Sequence, residues 1–188
     1  VSVPFVHSNY PRVEGDHYPT IDPRCLQGLL ATCPGICGRI VDPCSPRGSA
    51  IVDQLRERGY DAVGLDSVAD VERAAWIVTN PPYDRRIVDG IVEGALDLVI
   101  RGRVYGAAFL MRSNWDFAAR RAALFRSTLY RGQIKLRFRP WWSEERKAQP
   151  IHNYAWHVWA PGSGEPVIRY WPNGERDEVE HEAADVDR

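Results

Sequence analysis

The strongest constraint on the fold is an alternation: short apolar runs that stop at proline or glycine, separated by segments with helical spacing. Cys25 to Cys33, with Leu26, Leu29 and Leu30, reads as a short helix ending near Pro34-Gly35, and Arg39 to Asp42 as a strand stopped by Pro43. Ser49 to Arg58 carries Ile51, Val52 and Leu55 on one face and meets Gly59, a plausible C-terminal cap. Asp61 to Asp66 and Trp76 to Thr79 read as strands, Arg85 to Ile100 as a longer helix, and Val104 to Met111 as a further strand. Phe117 to Leu129 is expected to be a helix with a basic polar side. Ile134 to Phe138 and Ala155 to Trp159 are expected as late strands. This order predicts an α/β fold with a mostly parallel central sheet flanked by helices. Right-handed crossovers would gather the carboxyl ends of the parallel strands on one rim, where such sheets bind ligands. Asp42-Pro43 and Asn80-Pro81-Pro82-Tyr83 both follow strands directly, so both are expected there.

The 188 residues suit one domain, expected over 1–172, with 173–188 as an acidic, flexible tail. No apolar run approaches the roughly 20 residues of a membrane span. The opening Val1-Ser-Val-Pro-Phe-Val has no basic and long apolar stretch of a secretory signal, so a cytoplasmic setting is expected. Cys25, Cys33, Cys37 and Cys44 are spaced C-x7-C, C-x3-C and C-x6-C, without the close pair that aims two thiolates at one zinc. Free thiols and no metal are expected.

The net charge of −1 conceals two blocks. Arg101 to Arg139 holds ten basic residues against Asp116 alone, while the segment from Glu175 onward carries a charge of −5. Two readings of the basic block stay open: a solvated face, or a surface that exchanges counterions for nucleic-acid phosphates.

The most specific feature is Asn80-Pro81-Pro82-Tyr83. Two prolines fix φ near −65° and lack N–H groups, which leaves bare carbonyls beside an amide and an aromatic ring. Such a wall suits a planar substrate with an exocyclic amine: the amide oxygen and a proline carbonyl accept its two hydrogens while the ring stacks.

Here the chain resembles the amino-directed S-adenosylmethionine methyltransferases, and specifically the N6-adenine DNA class, over roughly Asp16 to Trp159. Their catalytic motif reads (D/N/S)-P-P-(Y/F). The resemblance implies a Rossmann-like methyltransferase fold with S-adenosyl-L-methionine as cofactor, and Asn80, Pro81, Pro82 and Tyr83 as catalytic residues. Asp16-His-Tyr-Pro-Thr20 is similar to the family's leading segment, placing Tyr18 and Thr20 at the methionine end. Ile40 to Gly48 is similar to the motif D-P-x-x-G-x-G, which implies cofactor contacts for Asp42, Pro43, Cys44, Ser45 and Gly48. Pro46 stands where the first glycine of that turn belongs, so a turn of different shape is expected. Asp66 matches the acidic position that accepts both ribose hydroxyls, and Asp70 is the nearest candidate for a polar contact to the cofactor's adenine.

The resemblance further implies that the target adenine is flipped out and stacked on Tyr83. Arg112, Arg120, Arg121, Arg137, Arg139, Trp141 and Trp142 are the candidate nucleic-acid contacts, with core packing an equal reading for the two tryptophans. No separate target-recognition domain is expected between the halves or beyond them, so specificity for DNA is expected to be loose or supplied by a partner. RNA and a protein glutamine are alternative substrates, and an inactive nucleic-acid-binding fold is an alternative of another class.

Overall fold

The computed structural model describes residues 18–45, 48–145 and 151–172. Helix α1 (Pro23–Thr32) starts where Asp22 accepts a hydrogen bond from the Arg24 amide at 3.1 Å, with proline in its first turn. Strand β1 (Ile40–Asp42) leads into α2 (Ala50–Glu57), capped by Ser49, and then into β2 (Ala62–Gly64). A single 3-10 turn, Val68–Asp70, joins β2 to β3 (Ala74–Thr79). Helix α3 (Val88–Ile100) and β4 (Val104–Arg112) follow. After a set of short turns come α4 (Ala122–Phe125), β5 (Tyr130–Leu136), β6 (Tyr154–Trp159) and β7 (Val167–Trp171).

The sheet order is β2-β1-β3-β4-β6-β5-β7. Strands β2, β1, β3 and β4 pair in parallel, β6 runs antiparallel between β4 and β5, and β7 is parallel to β5. From β1 the chain moves one way to β2 and afterwards the other way to β3, so the crevice between the β1 and β3 ends is the topological switch point. One core lies under α1 and α2 and holds Leu26, Leu29, Ile51, Leu55 and Trp156. The other lies under α3 and holds Val92, Leu96, Phe109, Trp115 and Trp159.

The α/β expectation agrees with this architecture, and two elements differ from the expected ones. The helix expected over Phe117 to Leu129 is instead two 3-10 turns, Trp115–Phe117 and Ala119–Arg121, followed by the four residues of α4. Tertiary contacts override a helix-favouring composition here, because Trp115 and Arg121 are both drawn into the core. Strand β7 was not expected; its residues Val167 to Tyr170 are exposed, so it lacks the buried alternation that betrays a strand. The expected acidic tail, Asp16 and Pro46 lie outside the described residues. Among the described residues no helix is long and apolar enough to cross a membrane.

Candidate active site

Asp42 closes β1 and is 4% exposed. Its Oδ1 accepts from the Thr79 hydroxyl at 2.6 Å and the Cys44 amide at 3.1 Å, and its Oδ2 accepts from the Ser49 hydroxyl. One carboxylate thereby ties the ends of β1 and β3 to the start of α2. Ser49 completes the link by accepting from the Val52 amide at 3.2 Å as the helix cap. Ser45 ties in β2: its hydroxyl donates to the Asp42 carbonyl (2.9 Å) and its amide to the Leu65 carbonyl (3.0 Å). A side chain at Gly64 would meet the Ser45 hydroxyl at 2.3 Å, so the close approach requires glycine. Gly48 has φ +97° and supplies the left-handed step of the turn.

Above this hub lies a cleft of about 1140 Å³. Tyr18, Thr20, Asp42, Pro43, Cys44, Ser45, Gly48 and Asp66 all line it, together with Asn80 and Pro82. Asp66, at the end of β2, is exposed on its rim. Asp70 is exposed and does not line the cleft; the short β2–β3 connection presents Val68, Ala69 and Val71 instead. The opposite wall is a face of α3 with Ile87, Gly90, Ile91 and Gly94. Burial pushes the Cys44 thiol up to about 12, against a smaller opposing effect of the Thr79 hydrogen bond.

Asn80 follows β3 and is 3% exposed. Its Nδ2 donates to the Tyr18 carbonyl at 2.8 Å and its Oδ1 accepts from the Tyr83 hydroxyl at 2.5 Å, so the amide orientation is fixed from both ends. Burial raises the Tyr83 hydroxyl far above its ordinary range, which keeps it a donor. Pro81 is buried, and neither it nor Tyr83 lines the cleft. The Tyr83 ring packs against Tyr18 and Tyr154 at 6.4 and 5.7 Å between centroids. Trp142, 6% exposed, closes the group at 6.2 Å from Tyr18 and 5.0 Å from Tyr154.

The expected nucleic-acid contacts divide. Arg112, Arg137 and Arg139 are exposed near the carboxyl ends of β4 and β5, with Arg137 5.0 Å above the Tyr170 ring and Arg139 donating to Asn153 (3.4 Å). Arg120 and Arg121 instead converge on Asp89 of α3, at 2.8 and 2.7 Å. Arg121 is 7% exposed, stacks 4.2 Å above Trp115 and donates to its carbonyl, so its guanidinium serves the core rather than a surface. Trp142 takes the core-packing reading, and the Trp141 amide donates to Asp22 at 3.3 Å. All four cysteines are free, and no metal-ligand cluster occurs among the described residues.

Sequence reasoning missed Thr79, Ser49 and the α3 wall. The hydroxyls had a local signal, standing at a strand end and a helix start. The wall had one too, in the helical spacing of Ile87, Gly90, Ile91 and Gly94.

The sequence matches no family model and no curated protein. The fold is similar to the crystal structure of PH1948 from Pyrococcus horikoshii, a protein provisionally named an RNA methyltransferase. The TM-score is 0.53 at 11% identity, over 81% of this chain and 90% of that one. A protein of Listeria monocytogenes, provisionally named a class I S-adenosylmethionine-dependent methyltransferase, gives 0.47 at 12% identity over 79% of this chain and 61% of that one. At such identity the likeness to PH1948 is one of fold, and it agrees with the Rossmann-like expectation.

Proposed function

We propose that this chain transfers a methyl group from S-adenosyl-L-methionine to the exocyclic N6 amine of adenine in DNA. The observation that carries the reading is the Asn80 amide: buried, oriented by Tyr18 and Tyr83, followed by two prolines, and in the lining of the cleft. The fold likeness to PH1948 supports a methyltransferase in the coarser sense.

The residues present fit the cofactor. The Thr20 hydroxyl is buried, lines the cleft and has no hydrogen-bond partner among the described residues, as suits a group reserved for a ligand. Asp66 offers two carboxylate oxygens at the rim, the acceptor pair that a vicinal diol needs. Ile87, Ile91 and Val68 supply apolar surface for an aromatic base. When bound, S-adenosylmethionine supplies an electrophilic methyl on a sulfonium.

The chain's own residues then position and desolvate the amine. The Asn80 oxygen already accepts from Tyr83 and retains a second lone pair for an amine N–H. The resemblance implies the Pro81 carbonyl as acceptor for the other hydrogen, although Pro82 is the proline that lines the cleft. Both acceptors stabilise positive charge as it grows on nitrogen. The protonated Tyr83 keeps the Asn80 oxygen aimed and takes no proton itself. RNA is the runner-up substrate because it offers the same amine to the same wall.

Calorimetry with S-adenosylhomocysteine tests the cofactor half. Micromolar one-to-one binding is expected, weakened about 30-fold or more in Asp66→Ala. The absence of both heat and thermal stabilisation at millimolar ligand would overturn the reading. Methyl transfer to adenine-containing DNA and RNA, lost in Asn80→Ala, tests the rest and ranks the two substrates.

A further inference from the structure

Beside the Asn80 loop, three strands deliver cations to one rim. Strand β4 ends at Arg112, and β6, running the other way, starts opposite it at Tyr154. The Ser113 amide donates to the Asn153 carbonyl at 2.9 Å, which continues the pairing past both strand ends. Strand β5 ends at Leu136, and Arg139, three residues on, donates to Asn153 Oδ1 at 3.4 Å. His152 adjoins Asn153 and is half-buried, while Arg112 and Arg139 are exposed. Burial and both guanidiniums lower the His152 pKa; among the described residues the charges acting on it are both positive.

Arg112 also bears on the aromatic group around Asn80. Burial raises the Tyr154 hydroxyl to about 12 and the Tyr83 hydroxyl far above its ordinary range, and at both the Arg112 guanidinium opposes the rise. The Tyr154 ring is 5.7 Å from the Tyr83 ring, whose hydroxyl donates to Asn80 at 2.5 Å. Two phenol rings therefore stand between Asn80 Oδ1 and Arg112. In a nucleotide a base and a sugar likewise stand between an exocyclic amine and the phosphate. A glutamine side chain carries its amide on an aliphatic stem and brings no anion to that place.

Gathered like charges repel one another, and a bound anion relieves the repulsion. A phosphodiester suits a guanidinium, since its two free oxygens match a planar pair of N–H donors. We propose that Arg112, with His152 and Arg139 beside it, holds the phosphate that adjoins the target adenine, and so selects a nucleotide over an amide side chain as substrate. The inference rests on the adenine reading of the site and adds to it the chain's means of telling one planar amine from another. Arg112 binds the substrate through its backbone and leaves the reacting amine to Asn80.

The test uses the full chain, S-adenosyl-L-methionine and an oligonucleotide with one adenine, DNA or RNA as the unaltered protein prefers. In a matched series a neutral methylphosphonate replaces one phosphate at a time. With the unaltered protein, neutralising one of the two linkages that flank the adenine should raise KM about tenfold, while a distant linkage has no such effect. Arg112→Gln should raise KM on the natural oligonucleotide about tenfold and be indifferent to the flanking methylphosphonate. Arg112→Lys should recover part of the loss. S-adenosylhomocysteine affinity and thermal stability should stay unchanged in both variants, so a merely structural role would not reproduce the pattern. Tolerance of both flanking methylphosphonates would overturn the proposal. So would an equal loss at every linkage, which marks a diffuse field, or a flanking loss as large in Arg112→Gln as in the unaltered protein. If the unaltered protein binds S-adenosylhomocysteine but methylates a glutamine peptide or no nucleic acid, this inference falls and the cofactor half of the functional reading stands; if it binds no S-adenosylhomocysteine and methylates nothing, both fall.

Discussion

The strand ends of β1, β2 and β3 finish in small hydroxyls and carboxylates, whereas the sheet around β6 is filled by aromatic bulk. In the first region Asp42, Thr79, Ser49 and Ser45 spend their polar groups on one another and leave a cleft above them. In the second, Trp156 and Trp159 are fully buried on either face of β6, and His157 sits between Trp115, Phe125 and Trp159 with no exposure at all. Such a division separates shape from stability: one region holds a ligand-sized cleft open, and the other supplies apolar burial that an open cleft cannot. Perturbing each region should move different observables.

The largest effect is expected in the aromatic region. Trp156→Ala removes a fully buried ring whose Nε1 donates to the Cys25 carbonyl at 2.7 Å, and should cost about 4 kcal/mol in urea unfolding. The folded fraction should still bind S-adenosylhomocysteine normally; weakened binding would break the comparison. Asp42→Ala comes next. It strands the Thr79 and Ser49 hydroxyls and the Cys44 amide, at about 3 kcal/mol, and here binding should fall together with stability. Retained binding in that variant would show that the hub does not shape the cleft.

The smallest effect, within the first pH unit below 6.5, depends on protonation. Burial holds the His157 imidazole neutral, lowering its pKa from 6.5 to about 3. Between those values the unfolded chain binds a proton that the folded chain refuses. Stability should therefore be unaffected by this group above pH 6.5 and should fall as pH falls below it, by up to about 1.4 kcal/mol per unit. His157→Phe should flatten that part of the stability–pH curve. An unchanged slope would remove His157 from the account.

The cleft region was more legible in the sequence than the aromatic one, for local reasons. Pro43 and the Pro81-Pro82 pair stop β1 and β3 within a residue of the groups that matter, so the strand ends could be read directly. The bonding of Asp42 was not legible, because Thr79 lies 37 residues away and only the β1–β3 pairing brings it near. In the other region helical composition around Arg120 and Arg121 misled, since the long-range bonds to Asp89 decide the conformation. Asp70 stands off the cleft for a local reason: in the Val68–Asp70 turn it is Val68 and Ala69 that line it.

The buried thiol of Cys44 has a consequence for a cleft read as holding a methyl donor. A thiolate is a far better nucleophile than an adenine amine, and one on the cleft wall would intercept the methyl group before any substrate arrived. With its pKa pushed up to about 12 by burial, the Cys44 sulfur stays a thiol at neutral pH. Under that reading the sulfur can stand in the cleft wall without being methylated, and iodoacetamide should find Cys37, exposed at the surface, long before it finds Cys44.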